Sequence, residues 1–453
     1  TFEESLTAFW LSSKNLKNSL AHHAYLKKIK KPQELMQKVF RLNEAPNLPD
    51  QFKLLGLKNI LLLGYGLEGQ TTEKYLKKNY PGLKIGLADQ KDGLDYLAKQ
   101  KHFELAIKTP GINRKEMAIP YTTATNLFFS QANQMIIGIT GTKGKSTTAS
   151  LIYQILKTAG LKTELVGNIG QPMLKVLLKK TDPKAILVIE LSSYQLDDIK
   201  YSPHIAVAIN LFPDHMNYHQ SKEKYYLAKK NITNFQNSGD FFIYNRHFSQ
   251  LKNWAKKTQA RAVAFNREKV KNYQTKILGR HNQENIQAAI AVTKLFKIPD
   301  QTINQALKEF KPLPHRLQFI GEYRKIKFYD DAISTTPEST IMAIKTLKNI
   351  GTILLGGQDR GYNFKELEKI VRQYKIKNIV LFPNSGQRMF KNKKGLNILT
   401  TTKMSDAVRF AYQNTPPGKI CLLSTASPSY SLWRNFEDKG DQFQAWAKKY
   451  SRE

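Results

Sequence analysis

The chain has 453 residues, of which 71 are lysine or arginine and 36 are aspartate or glutamate, for a formal net charge of +35. It is 41% hydrophobic, enough for several apolar cores, and its length is typical of about three domains. The single cysteine, Cys421, excludes a disulfide framework and a cysteine-based metal site. No apolar run approaches the ~18 residues of a membrane span. The N-terminus also lacks a secretory signal pattern, so we expect a cytoplasmic protein without membrane insertion.

The excess of basic residues makes nucleic-acid binding one alternative. However, the lysines are spread along the chain, and we find no zinc-finger spacing, RNP motif or arginine-rich tail. Attraction of a small polyanionic substrate, such as a nucleotide with several phosphates, is the favoured explanation. We therefore expect no nucleic-acid partner.

The pattern of strands and helices predicts an α/β protein with an N-terminal extension and three domains. Residues 1–55 are polar and helical in pattern, with no function assigned. Strands NILLL, KIGLAD and ELAIK predict a Rossmann-like domain over 56–132. Strands QMIIGIT, AILVIELSS and IAVAINL predict a central domain over 133–313. The last domain, 314–453, begins with a predicted hairpin (RLQFIGEYRKIKFYDD) and continues with strands TILLGG, NIVLFP and KICLLS.

A glycine loop between a strand and a helix opens the central domain. Such a loop cradles phosphate oxygens with backbone N–H groups, while Lys145 offsets phosphate charge and the Ser146 hydroxyl can ligate Mg²⁺. Ile139 stands where the strict pattern has glycine, so this is a variant loop. A simple packing turn is the alternative, which the flanking strand and helix disfavour. The predicted nucleotide-binding residues are Gly141, Thr142, Lys143, Gly144, Lys145, Ser146 and Thr147.

A second glycine cluster lies after the first predicted strand. Its G-x-G-x-x-G spacing, with Asp89 about twenty residues later, is typical of a dinucleotide site. Because a phosphate-loop domain follows, we favour a different nucleotide, with Asp89 contacting its base or ribose; a glycine-rich packing turn is the alternative. The cluster consists of Gly64, Tyr65, Gly66, Leu67, Glu68 and Gly69.

Three ionisable residues follow the phosphate loop at or near strand ends. Glu190 ends AILVIE, His215 follows IAVAINL, and Lys229 lies on the next predicted helix. The carboxyl ends of parallel strands converge on the ligand, so Glu190 and His215 are expected to face Lys145. A carboxylate and an imidazole beside a triphosphate favour a second Mg²⁺.

Two other features nearby have simpler interpretations. The i,i+4 spacing of His215 and His219 could indicate zinc, but the glutamate of an H-E-x-x-H motif is absent and we disfavour it. Asp197 and Asp198 are interpreted as solvent-exposed or helix-capping residues.

Eight motifs together resemble the Mur ligase family of peptidoglycan synthesis, over roughly 56–453. They occur in the family's order and read GTKGKST, GNIG, ELSSYQLD, NLFPDHMNYH, YYLAKK, HNQEN, PHRLQ and LLGGQDRG. The resemblance implies a three-domain α/β fold with a central P-loop ATPase domain between two Rossmann-like domains. It also implies a monomeric ATP-dependent ligase that joins D-glutamate to UDP-N-acetylmuramoyl-L-alanine through an acyl phosphate, with two Mg²⁺ sites and a lysine carbamylated by CO₂.

Site residues follow from the resemblance position by position. The first domain would bind the UDP part of the substrate through the 64–69 turn and a further set: Asp89, Thr109, Pro110, Gly111, Asn168 and His215. ATP contacts beyond the phosphate loop would be Asn282, Asn285, Arg316 and Asp331. Catalysis would rest on Lys145, Glu190, His215 and Lys229. Metal ligands would be Ser146, Glu190, His215 and, once carbamylated, Lys229.

The amino-acid site implied by the resemblance lies in the last domain. Its residues would be Thr335, Arg360, Ser429 and Phe436, and the Arg360 cation suits the carboxylates of glutamate. Two departures concern this site: Ile333 stands where many members have lysine, and STASPSYSLW differs from the usual segment. They leave L-glutamate open beside D-glutamate. The remaining alternatives are a sister Mur ligase, a folylpolyglutamate synthase and a nucleotide-dependent nucleic-acid-binding protein.

Overall fold

A computed structural model describes residues 56–179, 181–266, 273–275, 277 and 279–452. The predicted helical extension at 1–55 lies outside the described residues. The chain divides into two compact units. The first unit runs up to Tyr273 and includes Gln283–Leu307, whereas the second contains Gln274–Asn282 and the chain from Lys308 onward.

The first unit contains two parallel sheets, of which the N-terminal one has four strands in the order β2-β1-β3-β4. The apolar run NILLL forms its central strand because both faces are covered. Its strands are β1 (Asn59–Leu63), β2 (Lys84–Ala88), β3 (Leu105–Lys108) and β4 (Tyr121–Thr123), and its helices are α1 (Leu67–Asn79) and α2 (Ala124–Gln131).

The second sheet of this unit has six parallel strands in the order β10-β9-β8-β5-β7-β6. The strands are β5 (Met135–Thr140), β6 (Thr163–Gly167), β7 (Ile186–Glu190), β8 (Ile205–Ala208), β9 (Phe241–Asn245) and β10 (Arg261–Phe265). The helices are α3 (Lys145–Thr158), α4 (Met173–Leu178), α5 (Ser193–Asp197), α6 (Met216–His219), α7 (Lys222–Lys230), α8 (Ser249–Lys257), α9 (Arg280–Lys294) and α10 (Asp300–Glu309).

One apolar core joins the two sheets of the first unit. Fully buried residues from both belong to it, among them Ile60 and Phe128 from the N-terminal sheet and its helix and Leu187 and Ile189 from β7. Burial of such side chains stabilises by roughly 1.5–3 kcal/mol each. The predicted first two domains therefore share a core, and their boundary at 132 stays a prediction.

The second unit contains a six-stranded sheet in the order β11-β12-β16-β13-β14-β15. The predicted hairpin is confirmed, since β11 and β12 pair antiparallel, while the other strand pairs are parallel. Its strands are β11 (Gln318–Tyr323), β12 (Ile326–Asp330), β13 (Ile350–Gly356), β14 (Asn378–Phe382), β15 (Asn397–Thr400) and β16 (Ile420–Leu423). The helices are α11 (Pro337–Leu347), α12 (Lys365–Gln373), α13 (Met404–Asn414) and α14 (Phe436–Tyr450).

The predicted α/β class with largely parallel sheets is confirmed. Apolar clusters cover both faces of the sheet in the second unit, which is why its central strands are continuous apolar runs. Among the described residues, no helix combines the length and the apolar composition that crossing a bilayer requires.

Candidate functional site

The phosphate loop connects β5 to α3, as predicted, and two of its residues need glycine. Gly141 and Gly144 have φ values of +157° and +86°, a region that disfavours side chains. A Cβ on Gly144 would also lie 2.2 Å from Asn285 Oδ1. The predicted residue Asn285 is thereby placed against the loop, in the same unit.

The amide of Asn210 holds the loop in shape, and sequence reasoning missed this residue. Its Oδ1 accepts hydrogen bonds from the backbone N–H groups of Thr142 and Lys143, at 3.0 and 2.9 Å. Its Nδ2 donates to the Lys143 carbonyl oxygen at 3.0 Å. Its position just after β8 could have indicated this role, because polar residues at the carboxyl ends of parallel strands lie at the edge of the sheet where ligands bind.

The structure brings two predicted catalytic lysines, Lys145 and Lys229, to the same backbone oxygen. Lys145 Nζ donates to the carbonyl oxygens of Gly141 and Thr142, both at 3.1 Å. Lys229 Nζ donates to the Gly141 carbonyl oxygen at 2.9 Å. Burial lowers the pKa of Lys229 well below its usual value, and the charge of Lys145 lowers it further. The lowered pKa favours the neutral form of the Lys229 amine.

Glu190 ends β7 beside this loop and is 5% exposed. Within the described part of the chain, its Oε2 is buried without a hydrogen-bond partner. An unpaired buried carboxylate oxygen is costly, so Glu190 is a candidate ligand for a cation. No group of three or more His, Cys, Asp or Glu side chains in the described ranges could hold a metal alone. Hydroxyl or phosphate oxygens would have to complete the coordination.

The two histidines after β8 have different surroundings. His215 has a left-handed backbone (φ +55°), and its Nδ1 lies 3.1 Å from the Tyr194 hydroxyl. Burial lowers the pKa of His215, although the Asp214 carboxylate opposes the shift. His219 is buried, with Nε2 3.0 Å from Ser193 Oγ, and burial lowers its pKa to about 4. His215 is thus the one placed to contact a ligand.

At the N-terminal sheet, the predicted nucleotide residues come together at the carboxyl ends of the strands. The Tyr65 N–H donates to Asp89 Oδ2 at 2.6 Å, and the Thr109 N–H donates to the Leu63 carbonyl oxygen at 2.8 Å. A Cβ on Gly64 would lie 2.1 Å from Thr109 Oγ1, so only glycine fits there. Backbone donors, chiefly the Tyr65 N–H, hold the pKa of Asp89 below its usual value.

Further members of the predicted UDP-binding set differ in exposure. Leu67 is 69% exposed at the start of α1, whereas Glu68 beside it is half-buried and burial raises its pKa to about 7. Asn168 is exposed, and its N–H donates to the Glu190 carbonyl oxygen at 3.3 Å. Asn168 therefore lies beside the carboxylate predicted to bind metal. Gly66, Gly69, Pro110 and Gly111 complete the two turns.

Asp198 corrects one interpretation of the sequence. A solvent-exposed or helix-capping position was expected; Asp198 does lie at the C-terminal cap of α5, but it is buried, and its Oδ2 lies 2.6 Å from Lys108 Nζ. Its Oδ1 accepts a hydrogen bond from the Tyr121 hydroxyl at 2.9 Å. Solvent exposure is the part that was wrong, because the partners that bury Asp198 are remote in sequence.

In the second unit, backbone hydrogen bonds join three loops at the carboxyl end of the sheet. The Ala426 N–H donates to the Ser334 carbonyl oxygen at 3.1 Å, and the Gln358 N–H donates to the Pro428 carbonyl oxygen at 2.9 Å. The three loops carry the predicted amino-acid-binding residues Thr335, Arg360 and Ser429.

The side chains of these loops leave polar groups for a ligand. Arg360 is exposed and donates from Nε to Gln358 Oε1 at 3.3 Å. Ser429 is buried, and its Oγ has no hydrogen-bond partner among the described residues. Phe436 starts α14 half-buried, with its ring 6.1 Å from that of His315.

A buried charge cluster lies behind these loops. Asp331 accepts from Ser424 Oγ at 2.8 Å, and burial raises its pKa to about 6. Sequence reasoning missed Lys439, which is fully buried on α14 and donates to Thr425 Oγ1 at 2.6 Å. Burial lowers the pKa of Lys439 to about 7, against the opposing charges of Asp330 and Asp331.

Two predicted ATP residues also lie in the second unit. Asn282 is buried in the first turn of α9, whose residues up to Asn282 belong to the second unit and whose residues from Gln283 onward belong to the first. Arg316 is half-buried. The N–H of the next residue, Leu317, donates to Asp331 Oδ1 at 3.2 Å.

Comparisons with known proteins agree with this architecture. Residues 139–274 match the family described as Mur ligase middle domain. A curated relative, the UDP-N-acetylmuramoylalanine–D-glutamate ligase of Streptococcus pneumoniae serotype 19F (strain G54), is 35% identical over 445 residues, which cover 87% of this chain and 97% of that protein.

Solved structures of other Mur ligases share the fold. The MurF ligase from Thermotoga maritima, in complex with ADP, has a TM-score of 0.59 at 14% identity and covers 87% of this chain and 96% of its own. UDP-N-acetylmuramate–alanine ligase MurC from the same organism has a TM-score of 0.58 at 17% identity, and the match covers 87% of this chain and 99% of that protein.

A strand, a phosphate loop and a helix, with ionisable residues at the neighbouring strand ends, define a nucleotide-binding α/β protein of the P-loop class. Its similarity to the streptococcal protein extends over nearly the whole length of that relative. The chain belongs to the Mur ligase family, with the UDP-N-acetylmuramoylalanine–D-glutamate ligases.

Proposed function

We propose that this protein is an ATP-dependent ligase of peptidoglycan synthesis that joins glutamate to UDP-N-acetylmuramoyl-L-alanine, releasing ADP and phosphate. One observation carries the proposal: Lys145 and Lys229 meet at the Gly141 carbonyl oxygen beside Glu190, whose Oε2 has no hydrogen-bond partner among the described residues. This arrangement suits a phosphorylated nucleotide with a cation. The name of the streptococcal relative supports the substrates, and the ADP complex of the MurF ligase supports the nucleotide.

The phosphate loop is proposed to bind the ATP phosphates. Its shape is already set by the Asn210 amide, so few backbone dihedrals need to change on binding. Lys145 would exchange its two carbonyl partners for phosphate oxygens, a stronger, charge-assisted interaction. Asn285, packed against Gly144, is proposed to contribute to the nucleotide site. Asn282, Arg316 and Asp331 stay predictions as ATP contacts.

The residues around Glu190 fit magnesium. Ser146, Glu190, His215 and a carbamylated Lys229 would hold it, and when bound it offsets negative charge on the phosphates. The unpaired Oε2 of Glu190 is the observation that supports this fit. The His215 side chain is 44% exposed, and its Nε2, which lies 3.8 Å from Asp214 Oδ2, would be the ligating nitrogen.

Lys229 is proposed to react with CO₂. Its buried amine, whose neutral form is favoured by the lowered pKa, would attack the CO₂ carbon, form an N–C bond and release one proton. The product carries a negative charge, which would attract the Lys145 cation. Nuclear magnetic resonance with carbon-labelled bicarbonate should show a carbamate signal that Lys229→Ala abolishes and Lys230→Ala retains. A signal that persists in Lys229→Ala would contradict this step.

The proposed reaction has two steps. A carboxylate oxygen of UDP-N-acetylmuramoyl-L-alanine attacks the γ-phosphorus of ATP; the bond to ADP breaks, and an acyl phosphate forms. The glutamate amine then attacks the acyl carbon, phosphate leaves and a proton is released. Lys145 would stabilise the charge that develops during the first step.

Glutamate is proposed to bind the three joined loops of the second unit. The exposed Arg360 guanidinium suits one carboxylate, and the unpartnered Ser429 hydroxyl suits the other, while Thr335 and Phe436 would border the site. Ile333 bears on stereochemistry, because it removes a cation that many family members hold near this site. L-glutamate is therefore the second candidate substrate.

An ADP-release assay with UDP-N-acetylmuramoyl-L-alanine and a panel of D- and L-amino acids tests the proposal. We expect release to require both substrates and to be fastest with one glutamate enantiomer. Release that is equally fast without any amino acid would contradict a ligase. A cytoplasmic location and a monomeric state stay predictions.

A further inference from the structure

A buried lysine lies directly before the Thr109–Gly111 turn. Lys108 ends β3, its side chain is fully buried, and its Nζ lies 2.6 Å from Asp198 Oδ2. A buried ion pair seldom stabilises a fold more than apolar side chains of similar size would. Its presence here therefore calls for a role beyond filling the core.

The Asp198 carboxylate and backbone connect the two sheets of the first unit. On the side of the N-terminal sheet, Lys108 and the Tyr121 hydroxyl bind its carboxylate, and Asn126 Nδ2 donates to its carbonyl oxygen at 2.9 Å. On the other side, Asp198 follows α5, the helix that comes directly after the Glu190 end of β7. Any shift of the N-terminal sheet along β7 would break this network.

The same lysine also fixes the turn itself. Lys108 Nζ donates to the Ile112 carbonyl oxygen at 3.0 Å. This hydrogen bond joins the two ends of the 109–111 turn. A second bridge starts one residue later, where Asn113 Nδ2 donates to the Tyr218 carbonyl oxygen at 3.3 Å. Tyr218 belongs to α6, the short helix that His215 precedes. The turn is thus tied to the segments of both Glu190 and His215.

We propose that the Lys108–Asp198 ion pair is a positioning device for the UDP-linked substrate. It holds the 109–111 turn at a fixed distance from the Glu190 end of the second sheet. A substrate anchored at the turn then presents its carboxylate at the phosphate loop. This inference rests on the proposed function, and it gives Lys108 a positioning role instead of a catalytic one.

Steady-state kinetics of Lys108→Met, Asp198→Asn and the double variant test the proposal. We expect each single change to raise the KM for UDP-N-acetylmuramoyl-L-alanine about tenfold, with the KM for ATP within about twofold of wild type. The double variant should be no worse than Lys108→Met alone, because that change already removes the ion pair through which Asp198 acts, together with the bond to the Ile112 carbonyl oxygen. Lys108→Arg should restore part of the affinity.

Lys162→Met is the matched control. Lys162 and Asp182 form an ion pair at the same 2.6 Å distance, in the same unit but exposed. Both KM values should stay at wild-type level in this variant. If Lys108→Met folds poorly, Tyr121→Phe removes only one hydrogen bond to Asp198 and should raise the KM for the UDP substrate about threefold.

Two outcomes would overturn the inference. A Lys108→Met or Tyr121→Phe enzyme with a lower melting temperature but an unchanged KM for the UDP substrate would make the network purely structural. A wild-type enzyme that releases no ADP with this substrate would overturn the proposed function and, with it, this inference. The wild-type assay therefore separates the two failures.

Discussion

The phosphate loop of the first unit and the three joined loops of the second unit are built by different means. Side chains shape the phosphate loop: the Asn210 amide fixes its backbone, and Lys145 and Lys229 fill its interior. Backbone hydrogen bonds connect the loops of the second unit, and the ligand-facing group of Arg360 is exposed. A single substitution should therefore remove the function of the first region, whereas it should tune the affinity of the second.

The largest effect is expected for Lys145→Ala. Loss of a cation that stabilises the transferring phosphoryl group should reduce glutamate-dependent ADP release about 10³-fold. Lys157→Ala, an exposed change on the same helix, is the control and should retain activity. Full activity of the Lys145→Ala enzyme would contradict the claim that a single substitution removes the function of the phosphate loop.

Glu190→Gln should separate stability from activity. The change replaces a buried carboxylate, whose Oε2 has no hydrogen-bond partner among the described residues, by a neutral amide, so the free energy of unfolding of the ligand-free protein should rise by about 1 kcal/mol. Activity should fall about 10²-fold, since a cation ligand is lost. Melting curves and ADP-release rates check the two effects.

Glu164→Gln, on the adjacent strand β6, is the control for Glu190→Gln. Glu164 Oε2 already accepts a hydrogen bond from Gln171 Nε2 at 2.8 Å, so its neutralisation should not raise stability. A Glu190→Gln protein that is both less stable and fully active would contradict a cation site at this carboxylate.

Arg388→Met should weaken the second region without abolishing it. Arg388 forms two hydrogen bonds with Asp359, both at 2.6 Å, and this pairing fixes the residue next to Arg360. We expect the KM for glutamate to rise about fivefold while the KM for ATP stays constant. Arg372→Met, which breaks an ion pair with Glu368 in the same unit, should change neither value.

The smallest effect is a pH dependence of stability from His219. Its folded pKa of about 4 lies below the ordinary value of 6.5, so protonation favours the unfolded chain. The contribution to the free energy of unfolding is present above pH 6.5 and is lost as the pH falls toward 4. Melting temperatures between pH 7 and 4.5 should fall less in His219→Gln than in wild type, whereas the exposed His102→Gln should follow wild type.

The same contrast explains what could be predicted from the sequence. The phosphate loop, Glu190 and the third-domain hairpin follow from local patterns, because strand, turn and helix signals lie within a few residues of one another. The burial of Asp198 was not predicted, and Lys108 and Lys439 were missed, because their partners lie outside the local sequence pattern. Such pairings depend on tertiary packing, which no local pattern contains.

The most direct test of the central claim follows oxygen atoms from the substrate carboxylate. UDP-N-acetylmuramoyl-L-alanine labelled with heavy oxygen in that carboxylate would be converted with ATP and glutamate, and the products analysed by mass spectrometry. An acyl-phosphate ligase transfers one labelled oxygen to the released phosphate and keeps the other in the new amide. Unlabelled phosphate beside a fully labelled carboxylate would show that ATP is cleaved without activation of the substrate, and would contradict the account.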